Sequence, residues 1–156
     1  AHMRDLAMLY APNINSYKRY QPGTFAPTAI KWGRDNRTCS YRLVGQGHGL
    51  RIENRAPGGD VNPYLAVAGM IAAGIDGIQR NLELEPPMQG NAYALETDRV
   101  PTTLAEAREL FVNSDFVRDA FGEGVQKHYG HMAAVEIDAY NRAVTDWERY
   151  RSFERM

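Results

Sequence analysis

Arg51, Glu53 and Arg55 set one carboxylate between two guanidiniums at alternate positions. In an extended strand, residues two apart share a face. These three would therefore line one side, with Leu50, Ile52 and Ala56 mostly on the other. Such a face offers a glutamate to a hard divalent cation, which prefers oxygen ligands, and arginines to grip anions on either side. A solvated strand face of paired charges accounts for the same pattern from these residues alone. Arg37 and Arg42 stand at the start and near the end of a second strand candidate. Arginines so placed neutralise a phosphoryl group in transfer, or merely decorate a surface. His128 and His131 have the i, i+3 spacing of a metal pair, but no third ligand lies near them in sequence, so helix-surface packing is the reading. Cys39 is the single cysteine and has no base nearby in sequence. It reads as a small buried hydrophobe in a protein of a reducing compartment, the cytoplasm.

The charge distribution points the same way as the arginine spacing. From Lys18 to Arg55 eight cations face only Asp35 and Glu53, a net of +6 in a chain whose formal net charge is −1. A basic first third on a near-neutral protein fits an anionic small ligand and gives no case for nucleic acid. No apolar run reaches the length of a membrane span. Ala1-His2-Met3 reads as a cloning scar ahead of Arg4, which gives His2 no weight as a ligand.

The elements that must hold these residues fall into two parts, an α+β arrangement of a few antiparallel strands followed by a mostly helical half. Arg4 to Tyr10 reads as the end of a helix, Asn13 to Arg19 as a short helical turn, and Gln21-Pro22-Gly23 as its break. Strand candidates follow at Thr28–Gly33, Thr38–Leu43 and Arg51–Ala56, within residues 28–56. Gly45, Gly47 and Gly49 loosen the second connection without forming a phosphate-binding fingerprint. Asn62 caps a helix with Pro63 at its first position. That helix runs to about Leu82, and its small residues from Ala66 to Gly74 predict close packing on another backbone. Thr102 or Thr103 caps the next helix, with Glu106 in its first turn, and Ser114 caps another through Phe121. A last long helix carries Val125, Tyr129, Met132, Val135, Ala139, Tyr140, Ala143, Val144 and Trp147 as an apolar core face. Residues 62–154 are thus expected to be helical. Three strands alone scarcely make a shielded sheet.

Short motifs come in a fixed order along the chain: Asn15-Ser16-Tyr17-Lys18-Arg19, Pro22-Gly23, Ala26-Pro27, Trp32-Gly33, Asn36-Arg37-Thr38 and Arg51-Ile52-Glu53-Asn54-Arg55. Asp60-Val61-Asn62-Pro63-Tyr64-Leu65-Ala66-Val67-Ala68, Ala73-Gly74-Ile75-Asp76-Gly77 and Val144-Thr145-Asp146-Trp147-Glu148 complete the set. The ordered set resembles the C-terminal part of the catalytic domain of the glutamine synthetase superfamily, and residues 4–156 are taken as that part. The resemblance implies that Arg19 and Arg55 bind the substrate glutamate. It implies that Arg37 touches both substrates and steadies the phosphoryl group, that Arg42 and Arg51 meet the nucleotide phosphates, and that Glu53 is a ligand of Mg²⁺ or Mn²⁺. It further implies ATP as co-substrate and a homo-oligomeric ring at full length.

The sequence departs from the family pattern at two places. His48 stands where a lysine is common, which puts that nucleotide contact in doubt. Phe25, in Gly23-Thr24-Phe25-Ala26-Pro27, stands where ammonia-using members carry the glutamate that helps deprotonate ammonium. An aromatic ring takes no proton, but it lines a pocket for a larger amine through apolar or cation–π contact. The expectation is a γ-glutamyl-amine or polyamine ligase that works through γ-glutamyl phosphate. An ammonia-using glutamine synthetase and a non-catalytic regulatory homologue are the alternatives. The family draws most of its metal carboxylates from sequence ahead of Arg4, so these residues alone are expected to be inactive.

Overall fold

The computed structural model describes residues 1–153. Its order is a short α1 (Ala7–Tyr10), a 3₁₀ turn over Ile14–Arg19, then β1 (Ala29–Arg34), β2 (Cys39–Val44) and β3 (Arg51–Asn54). The helices α2 (Pro63–Gln79), α3 (Leu104–Val112), α4 (Asp115–Phe121), α5 (Glu123–Arg142) and α6 (Asp146–Phe153) follow. The architecture is α+β, and the expected helix position at residue 154 lies outside the described residues.

Helix starts obey local capping chemistry. Asn62 Oδ1 accepts from the Tyr64 and Leu65 amides with Pro63 first in α2, Thr103 Oγ1 accepts from Glu106, and Ser114 Oγ accepts from Val117. Each cap satisfies an amide that the helix itself leaves free.

The sheet order is β1-β2-β3, but only the β2–β3 pair is antiparallel. β1 and β2 run parallel, with Gly33 opposite Arg42 and Arg34 opposite Leu43. This corrects the expectation of an antiparallel set. Parallel neighbours ordinarily need a long crossover, whereas here residues 35–38 carry the chain back. Asp35 takes a left-handed φ of 48° to start the reversal. Asn36 then pins it: its side-chain amide donates to the carbonyls of Met88 (3.3 Å) and Gly90 (2.9 Å), and its Oδ1 accepts from the Thr38 amide.

Residues 85–100 form a strap along the outer edge of β1. Met88 N–H donates to Trp32 O (2.8 Å), Ile30 N–H to Asp98 O (2.9 Å) and Val100 N–H to Thr28 O (3.0 Å). Ala29, Cys39 and Ala92 are fully buried between strap and sheet, and burial pushes the Cys39 thiol pKa up. Gly33 is required there, because a β-carbon would sit 2.8 Å from Asn36 Cβ and 2.9 Å from Met88 O. Gly33→Ala is expected to cost about 1–3 kcal/mol by overpacking, read as a lowered urea midpoint; an unchanged midpoint would show that the strap yields freely.

The main core gathers Leu6, Tyr10, Leu104, Phe111 and Val117, all essentially without solvent exposure. Two packing expectations need correction. First, α5 buries Gln126, Gly130 and Ala133, while Met132 and Val135 are exposed. The cause is a close crossing on α3. Gln126 donates to the carbonyls of Phe111 and Ser114 (both 2.8 Å), Arg108 Nε donates to Gly130 O (2.8 Å), and a β-carbon on Gly130 would lie 2.5 Å from Val112. Second, the last helix is broken after Arg142. Thr145 and Glu148 form a capping box, with Thr145 N–H to Glu148 Oε2 at 2.7 Å, and so start α6.

On α2, Gly69 does lie against Leu6 and the Tyr10 ring, but Gly74 and Gly77 face open space. The helix instead presents an exposed apolar stripe of Tyr64, Val67, Ile71, Ile75 and Ile78. Met3 is buried, and His2 stacks on Phe116 with its ring nitrogens 3.0 Å from Asp5 and 2.7 Å from Asp76. Among the described residues no helix is long and apolar enough to cross a membrane.

Candidate active site

β3 delivers Glu53, and the chain just past its end delivers Arg55. β3 ends at Asn54, but the Arg55 N–H still donates to Ser40 O of β2 (2.9 Å), and Arg55 keeps the side of Glu53. Its Nη2 donates to Phe25 O (3.2 Å), and its Nε lies 3.8 Å from Glu53 Oε1. Glu53 is cross-strand partner to Arg42, and Arg42 Nη1 meets its Oε2 at 3.0 Å. Arg42 also holds Asp35, and these two carboxylates, Asp35 foremost, keep its guanidinium firmly protonated.

Arg19 reaches the same place from the other direction. It ends the 3₁₀ turn, and that turn is fastened to the loop before α2. Asn13 Nδ2 (3.2 Å) and Ser16 Oγ both donate to Asp60 Oδ2, and the Ser16 bond is the main reason the Asp60 carboxyl is held below the usual carboxylate range. The Arg19 guanidinium then donates to the carbonyls of Ala56 and Pro57 and lies 5.2 Å from the Tyr20 ring centre.

Between Arg19 and Arg55 opens a cleft of about 280 Å³, lined also by Thr24, Phe25, Glu53 and Asn54. Two of its lining residues carry buried N–H groups without a partner among the described residues, Arg55 Nη1 and Asn54 Nδ2. Both atoms are closed off from solvent, so what the cleft offers an anion is the pair of arginines that line it. With two guanidiniums beside it, the acceptor it suits is a carboxylate.

Phe25 lines the edge of this cleft. Its side chain is 79% exposed, and its φ of 62° is left-handed, a conformation that costs an L residue about 1–2 kcal/mol. Strain of this kind persists only where neighbours over-determine it.

The remaining expected residues lie elsewhere. Arg37 is exposed in a second groove, of about 630 Å³, with Arg34, Asn36, Met88 and Gly90. Arg51 is exposed on β3 and donates to Gly49 O (3.2 Å). The three-residue face therefore resolves into Glu53 and Arg55 at the cleft and Arg51 outside it.

A divalent cation does not fit these residues by themselves. Glu53 is the single carboxylate lining the cleft, its oxygens already face Arg42 and Arg55, and no group of three His, Cys, Asp or Glu among the described residues could hold a metal.

Known proteins resemble this chain over nearly its whole length. The chain is 62% identical over 154 residues to a γ-glutamylethanolamide synthetase of Streptomyces coelicolor, covering 99% of this chain and 33% of that one. It is 38% identical over 152 residues to a glutamate–isopropylamine ligase of a Pseudomonas species, covering 95% and 33%. The chain thus spans about a third of the length of these curated relatives. A solved GmaS–ADP complex superposes with a TM-score of 0.86 at 28% identity, covering 98% of this chain and 37% of the other. The glutamine synthetase catalytic-domain family matches residues 1–152, the packed residues His2 and Met3 included, and the chain belongs to that family.

Proposed function

We propose that the full-length protein joins the γ-carboxyl of glutamate to a small primary amine at the expense of ATP, and that this stretch holds the acid. The observation that carries the reading is the cleft lined by Arg19 and Arg55, with Phe25 in its wall. Arg19 and Arg55 grip the amino acid's carboxylate by charge-assisted hydrogen bonds. A carboxylate is a poor electrophile, so the γ-carboxylate first takes the terminal phosphoryl group of ATP and ADP departs. The amine nitrogen then attacks the carbonyl carbon of this mixed anhydride, loses a proton, and phosphate leaves with the C–O bond.

Arg37 lies in a groove of its own with Arg34, exposed and able to meet phosphoryl oxygens, and it is assigned the charge of the transferring group. Arg42 and Arg51 are assigned to the nucleotide phosphates; the Arg42 guanidinium also fixes Glu53 in place. Magnesium or manganese belongs to the family reading, and Glu53 would supply one carboxylate to it.

Phe25 and the 62% identical relative together favour an amine of ethanolamine size over ammonia. The exposed stripe on α2 supports burial in a larger homo-oligomeric assembly.

Phosphate release by the full-length protein, given glutamate, ATP and a panel of ammonia, ethanolamine, isopropylamine and a diamine, tests the proposal. Ethanolamine is expected to give the highest kcat/KM, and residues 1–156 alone are expected to give no turnover. Ammonia as the best acceptor would refute the amine reading.

A further inference from the structure

The strap along β1 ends in a contact that the proposed chemistry does not yet use. Tyr93, in the short 3₁₀ turn Ala92–Ala94, sends its hydroxyl 2.8 Å to the carbonyl oxygen of Ala26, across 67 positions of sequence. Ala26 is the residue after Phe25, and the Phe25 carbonyl itself accepts from Arg55. On the other side of the loop, Thr24 Oγ1 donates to the carbonyls of Arg19 and Gln21. The left-handed Phe25 thus sits in a backbone whose own carbonyl, next carbonyl and preceding side chain are all held by fixed partners.

The anchor behind Tyr93 is itself braced. Asn91 Oδ1 accepts from the Tyr93 amide (3.0 Å), and Thr38 Oγ1 accepts from the Ala92 amide (2.9 Å). Arg99 ties the base together. Its Nη2 donates to the carbonyls of Tyr93 (3.1 Å) and Leu95 (2.8 Å), and its Nη1 donates to Thr28 Oγ1 (2.7 Å) at the start of β1. Arg4 in turn donates to Arg99 O (3.0 Å). Tyr93 therefore transmits the position of a rigid sheet edge to a solvent-exposed loop. Removing its hydroxyl leaves the Ala26 carbonyl without that partner and lets Phe25 relax out of its left-handed conformation.

We infer that Tyr93 is a positioning residue for amine selection: through the Ala26 carbonyl it holds Phe25 at the edge of the acid-binding cleft, so that the ring forms the amine-side wall. The inference rests on the proposed ligase reading for its functional consequence, but the latch itself is a property of the fold.

The test compares the full-length protein with its Tyr93→Phe variant, which keeps the ring and removes only the hydroxyl. Hydrogen–deuterium exchange at residues 23–27 is expected to quicken roughly threefold to tenfold, the size of one lost neutral hydrogen bond. The preference for ethanolamine over ammonia in kcat/KM is expected to fall by a similar factor, with the glutamate KM unmoved and the melting temperature lowered by no more than one lost hydrogen bond accounts for. A purely structural tyrosine would lower the melting temperature without moving the amine preference. Unchanged exchange in the loop overturns the inference, and so does faster exchange with an unmoved amine preference. A parent protein that ligates no amine at all would refute the proposed function instead, while the exchange comparison would still decide whether Tyr93 holds the loop.

Discussion

Arg55→Gln is expected to lower kcat/KM for glutamate in the full-length protein by about two orders of magnitude. The Arg55 side chain is only 14% exposed, so its charge acts where water screens little. One of its nitrogens supports Phe25 O, its Nε faces Glu53, and Nη1 has no partner among the described residues. Truncating one member of a buried charge pair typically costs about 2–5 kcal/mol, and each 1.4 kcal/mol is roughly a factor of ten. Glutamine keeps a polar tip but loses the charge and the fork that bind a carboxylate at two points. The fold should tolerate the change better than the activity does, because Glu53 keeps Arg42 at 3.0 Å. Initial-rate kinetics against glutamate, with a thermal melt as control, measure both. A kcat/KM within about threefold of the parent, less than 1 kcal/mol, would remove Arg55 from the acid site.

Phe25→Glu should shift acceptor preference toward ammonia by at least tenfold, a conservative share of the roughly hundredfold or more that a positioned base contributes. The substitution puts a carboxylate at the mouth of a cleft that already holds Arg19 and Arg55. It supplies a proton acceptor and a counter-charge for ammonium, and it removes the apolar wall offered to a carbon-bearing amine. A glutamate side chain has a β-carbon as phenylalanine does, so it meets a similar cost at the φ of 62°. Competition between ammonia and ethanolamine at fixed glutamate and ATP measures the ratio directly. An unmoved ratio would show that Phe25 does not face the acceptor.

These two residues also mark how far sequence reaches. Phe25 was legible as a departure from an ordered motif set, since its neighbours Pro22-Gly23 and Ala26-Pro27 fix its place in the loop. Its left-handed backbone was not, because phenylalanine gives no local signal for positive φ; the bonds that hold its carbonyl and the next come from Arg55 and Tyr93, far away in sequence. Strand alternation puts Arg55 on the face of Glu53, and the structure has the two side chains 3.8 Å apart on one cleft, with the Arg55 N–H still donating to Ser40 O of β2 (2.9 Å).

The same division runs through the fold. Asn62-Pro63, Thr103 and Ser114 marked helix starts because a cap is a bond between residues two or three apart, complete within its own few positions. The Thr145–Glu148 box is equally local, yet an apolar periodicity running across it masked the break. Periodicity was right about only part of the α5 face: Tyr129 packs on the core, but Met132 and Val135 are exposed. Spacing counts apolar residues, whereas the crossing on α3 selected the small Gly130 and Ala133 and the hydrogen-bonding Gln126.

The sequence by itself determined the caps, the three strand segments, the basic first third and the order of motifs. Each of these is written in neighbouring residues or in their succession. Only the tertiary structure decided that β1 and β2 run parallel, that Arg19 and Arg55 share one cleft while Arg37 lies in another, and that Tyr93 reaches Ala26. Those outcomes depend on contacts between segments far apart in the chain. Such contacts are fixed by which surfaces pack and which buried donors find acceptors, and no local pattern encodes that result.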